Sequence, residues 1–133
     1  MRHIEHDEQV KFFGYLRTIK GKGAELAALT FAVPNGARMA SLRHAKRIAA
    51  EGMKAGVPDI ICPVFNSEFT GLAIEMKIPP NKSTPKQLDW QARLRKHGWK
   101  VVECHSAVEA LREFITYHKL VPGKLLQEVL GGE

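Results

Sequence analysis

Apolar and polar positions recur with different periods along the chain, and the changes of period mark out its elements. Over residues 4–19, Ile4, Phe12, Tyr15 and Ile19 share one stripe, widened by Phe13 and Leu16, which predicts a helix. Glu8 falls on the same stripe, four before Phe12 and seven before Tyr15, so this acid is expected to point inward. "KGKG" breaks the pattern. Residues 27–33, "AALTFAV", read as a strand, "PNG" at 34–36 as a turn, and 37–51 as a helix ended by "EGMKAG". A second strand is expected over 58–64 and a third over 71–78, with "FNSEFT" as a hairpin connection between them.

In the third strand, Leu72, Ile74, Met76 and Ile78 alternate with Gly71, Ala73, Glu75 and Lys77. One face of this strand is wholly apolar; the other begins small and then carries a negative and a positive charge. After "PPNKSTP", Thr84 is a suitable N-cap and Pro85 suits the first helical position, predicting a helix to about Lys96 closed by His97 or Gly98. "WKVVEC" at 99–104 reads as a fourth strand and 106–118 as a helix through Val108, Leu111 and Ile115. Beyond Pro122, Leu125, Leu126, Val129 and Leu130 form a short amphipathic tail. The order α-β-α-β-β-α-β-α predicts an α/β fold, a small mixed β-sheet flanked by helices. Residues 1–119 are expected to form one domain, with 120–133 as a tail that packs on it or serves as a dimer arm.

Composition narrows this picture only a little. The 133 residues suffice for one domain with a core, and 44% hydrophobic residues belong to a folded chain. A net charge of +6 favours polyanionic partners without requiring them. Cys62 and Cys104 lie far apart within apolar runs and read as reduced core residues; no paired Cys/His spacing suggests zinc. "MRHIEHDEQ" is charged from its second residue, unlike a secretory signal, and no run approaches the ~18 apolar residues of a membrane span. The expected location is the cytoplasm.

The candidate chemistry comes from setting the second and third strands against each other. A hairpin centred on Ser67 places Asp59 opposite Glu75, with Cβ atoms about 4.5–5.5 Å apart. Two carboxylates so close repel unless a cation lies between them, and hard oxygen ligands suit Mg²⁺ or Mn²⁺. Lys77, on the same face, would orient a water or stabilise charge on a phosphate. The alternative is that Asp59, Glu75 and Lys77 form an ion-pair cluster on a solvated sheet face.

Those residues resemble a known pattern. "GVPDIIC" followed by "GLAIEMK" is similar to the PD-(D/E)XK nuclease core, a restriction-endonuclease-like fold. "DEQ" in the first helix, "PNG", "EGMKAGVPD" and "STPKQLDWQARLRKHGW" further resemble its virus-type replication-repair nuclease (VRR-NUC) branch, in order from about residue 5 to residue 104. The resemblance implies that Asp59 and Glu75 bind metal, with the Met76 carbonyl as a backbone ligand and Lys77 as the active-site lysine. It assigns Glu8 to the first-helix acid supporting the metal and Gln87 to the glutamine that follows the core strand. It also implies an endonuclease leaving a 5′-phosphate, with small stand-alone domains acting as homodimers on branched or Holliday-junction DNA, in a phage-type setting.

Each assignment has a plainer counterpart. Thr84 and Gln87 fit a capping box, in which Gln87 serves only the helix start. For Glu8 the counterpart is a solvated acid in the first helical turn, which its place on the apolar stripe argues against. Arg38, Arg43, Lys46, Arg47 and Lys54 precede Asp59 in sequence, as a phosphate-contacting rim or a solubilising face. Trp90 and Trp99 read as core. A non-catalytic nucleic-acid-binding module and an RNA-directed nuclease remain as alternatives to a DNA endonuclease.

Overall fold

Every residue from Gly71 to Lys77 is buried in the computed structural model, which describes residues 2–34 and 42–131. Burial on both strand faces follows from the topology. The strands are β1 (Phe31–Ala32), β2 (Ile60–Cys62), β3 (Leu72–Met76) and β4 (Lys100–Cys104), in sheet order β1-β2-β3-β4. β3 is therefore an inner strand, antiparallel to β2 and parallel to β4. A parallel neighbour needs a crossover, and α4 (Pro85–Lys96) supplies it. The remaining helices are α1 (Arg2–Leu16), α2 (Lys22–Ala28), α3 (Leu42–Ala50), α5 (Ala107–His118) and α6 (Lys124–Gly131).

Alternation along β3 divides the molecule into two environments. Leu72, Ile74 and Met76 meet Ile60, Cys62 and Cys104 from the flanking strands, and α1 and α5 cover this face with Phe12, Leu16, Leu111, Phe114 and Ile115. Each such side chain, fully buried, contributes roughly 1.5–3 kcal/mol. Phe12 and Phe114 meet edge to face with ring centroids 6.3 Å apart. Ala73, Glu75 and Lys77 point the other way, toward α4, whose Gln87 and Gln91 side chains bond to Glu75 and Glu103. Cys62 and Cys104 are free and buried, and burial pushes the Cys104 thiol up to about 12. The Cys62 sulfur lies 3.1 Å from His118 Nε2.

The expected strand over 27–33 is cut short: its first two residues end α2 (Lys22–Ala28), leaving Phe31–Ala32 to pair with β2. "AELAA" consists of strong helix formers, and their local preference prevails over the apolar run. The α1 stripe is displaced by one position at its start only. Phe12 and Leu16 are buried whereas Ile4 is 50% exposed, so the inward line runs Glu5, Glu8, Phe12, Leu16. The first residues of the helix expected over 37–51 lie partly outside the described residues, and α3 covers 42–50. The tail is helical: Leu126 is buried and Arg112 Nη2 donates to the Leu130 carbonyl at 3.0 Å. Among the described residues, no helix is long and apolar enough to cross a membrane.

Candidate active site

The β2–β3 hairpin has the expected register. Ile60 pairs with Ile74 and Cys62 with Leu72, so one step beyond Ile60 the ladder brings Asp59 opposite Glu75, about a centre at Ser67. The Asp59 side chain is held from two directions. Its Oδ2 accepts from the Met76 amide at 2.8 Å, while its own carbonyl accepts from Val33 at 2.8 Å. Pro58, fully buried just before it, fixes the entry of the chain.

Glu75 is 1% exposed, which excludes an ion-pair cluster on a solvated face. Its Oε2 accepts from Gln87 Nε2 at 3.2 Å and lies 3.7 Å from Lys77 Nζ. Its Oε1 is buried with no hydrogen-bond partner among the described residues. Burial first, and then the neighbouring Asp59 charge, raise the Glu75 carboxyl to about 9, against the pull of Lys77. Burial raises Asp59 as well, opposed by the Met76 amide. A buried and a half-buried acid that resist ionisation side by side, one with an unpaired oxygen, form a donor set that fits a hard divalent cation.

Gln87 both completes the helix cap and bonds to Glu75, because its two amide atoms act separately. Oε1 accepts from the Thr84 amide at 2.8 Å and the Gln87 amide reaches Thr84 Oγ1 at 3.2 Å, completing the capping box. The Nε2 is left free to hold Glu75.

The first helix gives its two inward acids different partners. Glu8 Oε1 accepts from the Ala107 amide at 2.9 Å and its Oε2 from Lys11 at 3.0 Å, so Glu8 caps α5 rather than joining the carboxylate pair. Burial works to raise its carboxyl, but the Ala107 amide and Lys11 outweigh this and lower it. Glu5, one turn earlier, reaches the end of β3: its Oε2 accepts from the Ile78 amide at 3.2 Å and from Asn81 Nδ2 at 2.9 Å. Its charge is felt at Asp59.

Sequence reasoning also missed a second polar group. Glu103 pairs with Glu75 across β3 and β4, and accepts from the Ser83 hydroxyl and from Gln91 Nε2, the latter at 3.1 Å. Gln91 is itself buried. The signal was present in two forms: Gln91 lies one turn after Gln87, and Glu103 and His105 share one face of β4. Of the basic candidates, Arg43, Lys46, Arg47 and Lys54 are exposed, and Arg38 lies outside the described residues. Gly56, at φ +92°, brings the segment after Lys54 against the Lys86 backbone, where an added Cβ would stand 2.9 Å from the carbonyl. Gly56, between Lys54 and Asp59, is thereby seated at the start of α4.

The VRR-NUC domain family matches residues 17–108, more than half of the chain. The chain belongs to the VRR-NUC family. A solved structure described as a "VRR_NUC domain protein" superposes with a TM-score of 0.75 at 25% identity, covering 88% of this chain and 89% of that one. None of the curated proteins compared with it matches. A VRR-NUC domain is a nuclease-type domain, so nucleic acid is the substrate class of the family. The matched span takes in Asp59, Glu75, Lys77, Gln87 and Glu103, and begins after α1 with its Glu5 and Glu8.

Proposed function

We propose that this VRR-NUC chain is a Mg²⁺- or Mn²⁺-dependent endonuclease that hydrolyses DNA phosphodiester bonds. One observation carries the reading: Asp59 and Glu75 converge inside the protein with the Glu75 Oε1 unpaired, beside a lysine and against a helix that offers an amide to the same carboxylate. A module that only binds nucleic acid has no use for buried acids facing a phosphate. Among the described residues, no three His, Cys, Asp or Glu side chains are gathered as a ready metal cage. Asp59, Glu75 and the Met76 carbonyl would therefore supply the protein's share of the ligands, with Glu5 in the supporting place first assigned to Glu8. Such incomplete shells are usual for Mg²⁺, which keeps several waters and takes phosphate oxygens. When bound, the cation lowers the pKa of a water and polarises the phosphate.

The remaining work falls to side chains already in place. The Lys77 ammonium offers positive charge to the phosphate as negative charge accumulates on its oxygens. Gln87 fixes Glu75 and, through the capping box, ties that carboxylate to the first turn of α4. Water adds to phosphorus, the bond to the 3′ oxygen breaks, and the product ends in a 5′-phosphate. Two copies acting on opposite strands would suit branched or junction DNA, with Arg43, Lys46, Arg47 and Lys54 contacting phosphates.

The test incubates the purified protein with linear, supercoiled and four-way-junction DNA, and with a matching RNA, in Mn²⁺, Mg²⁺ or EDTA. Cutting of DNA that needs the cation and is lost in Asp59→Asn and Lys77→Ala is the expected result. Salt-sensitive binding without cleavage by the wild type would leave a binding module, and cleavage of the RNA alone would redirect the substrate. Light scattering checks the pairing of copies, since a mass of 14.9 kDa would rule it out.

A further inference from the structure

The Lys77 ammonium lies 3.7 Å from Glu75, too far for a firm hydrogen bond, so its aim depends on how the backbone beneath it is held. That backbone is restrained from three elements. The Lys77 amide donates to the Cys104 carbonyl at 2.9 Å, carrying the parallel β3–β4 pairing one step past Met76 and Cys104. The next amide, that of Ile78, donates to Glu5 on α1 at 3.2 Å. Between these two bonds the Lys77 carbonyl meets a side chain, His105, whose Nδ1 stands 2.7 Å away.

A carbonyl oxygen only accepts, so Nδ1 carries the proton in this contact and the tautomer of the neutral ring is fixed. The place of His105 in the chain makes the bond possible. β4 ends at Cys104 and Ser106 is already the N-cap of α5, so the backbone turns out of the sheet at His105. The imidazole then folds back onto the end of β3. Its ring is exposed and adds little to the core, yet it makes a short, directed bond to the backbone of the one lysine in the candidate site.

We propose that His105 is a positioning residue that fixes the Lys77 backbone and, through it, the Lys77 ammonium where the phosphate is met. This rests on the nuclease reading above. Two other accounts are outcomes of the test: a purely mechanical tie between β3 and α5, and a direct part in the chemistry through Nε2.

Cleavage is measured at excess enzyme and under turnover in three variants, with melting temperature alongside. His105→Ala removes the donor and is expected to lower kcat about 10- to 100-fold with KM unchanged. His105→Asn, whose amide N–H stands where the Nδ1–H stood, should restore most of that loss. In a Lys77→Met background His105→Ala is expected to have no further effect on the residual rate, since both changes act through one ammonium. Equal fractional losses in the two backgrounds would overturn the inference in favour of a mechanical tie, as would an unaltered kcat in His105→Ala. An asparagine variant as slow as the alanine one would overturn it by assigning the work to Nε2. The wild type gives a measurement that needs no variant to fold: ¹⁵N NMR at alkaline pH should find the His105 proton on Nδ1. A proton on Nε2 would remove this inference and leave the nuclease reading standing, whereas a wild type that cuts nothing removes both.

Discussion

Glu75 concentrates the physical tension of the fold in one side chain. Its carboxyl stands at about 9 against an ordinary 4.5, because burial and the Asp59 charge both oppose ionisation. Between those two values the folded, cation-free protein holds a proton that the unfolded chain has released. The contribution to stability is then fully present below 4.5 and is lost as pH rises toward about 9. Asp59, also raised by burial, acts in the same direction. The melting temperature in EDTA should therefore fall as the solution is made more alkaline. Glu75→Gln, which cannot ionise, should flatten most of that slope and stabilise the cation-free protein at its alkaline end by roughly 1–3 kcal/mol. Mn²⁺ binds the ionised form, so its stabilising effect on the wild type should grow with pH and disappear in the variant. Scanning fluorimetry across pH, with and without Mn²⁺, checks all of this. An alkaline slope of wild-type steepness in the glutamine variant would show that the proton resides elsewhere.

At the scale of elements, the site depends on how α4 and β3 begin. Thr84→Ala removes half of the capping box and should destabilise by about 1 kcal/mol with cleavage retained. Gln87→Ala removes the other half and also frees Glu75, so a similar loss of stability should come with loss of activity. Chemical denaturation paired with a cleavage assay distinguishes the two, and equal activity in both variants would reduce Gln87 to a cap. At the start of β3, the Trp99 ring lies on Gly71 so closely that an added Cβ would stand 2.5 Å from Trp99 Cζ3. Gly71→Ala should therefore destabilise by about 1–3 kcal/mol, measured by denaturant midpoint. These same elements show what a sequence conveys. The β3 alternation, the hairpin centre and the Thr84–Pro85 helix start are local patterns, and they place Asp59 and Glu75 together unaided. Glu5 was passed over because Ile4 suggested a stripe one position out of phase, and only packing on β3 and α5 fixes the phase of a helix end. Glu103 shows in the sequence only as one polar position of β4: its partner depends on the parallel β3–β4 register, set by a crossover that no local period records.

Across the whole molecule, charge is arranged against the acids. The chain carries +6, yet its proposed reacting groups are two carboxylates, Glu75 buried and Asp59 half-buried, while Arg43, Lys46, Arg47 and Lys54 are exposed. Buried acids contribute little repulsion at a distance when they hold a proton or a cation, so an approaching polyanion meets the basic residues first. Each phosphate contact made by such a residue releases counterions and steepens the dependence of affinity on salt by about 0.9 in the logarithmic slope. Replacing Arg43, Lys46 and Arg47 together by alanine should thus weaken binding of junction and linear DNA alike, and reduce that slope by up to about 3. With substrate saturating, the cleavage rate should stay that of the wild type, because none of the three bonds to Asp59, Glu75 or Lys77. Fluorescence anisotropy over a salt series in Mn²⁺-free buffer measures the slope, and a parallel cleavage series measures the rate. A slope identical to the wild type would show that α3 faces solvent while DNA is bound, moving the phosphate contacts to the exposed Lys82 and Lys86 beside the start of α4.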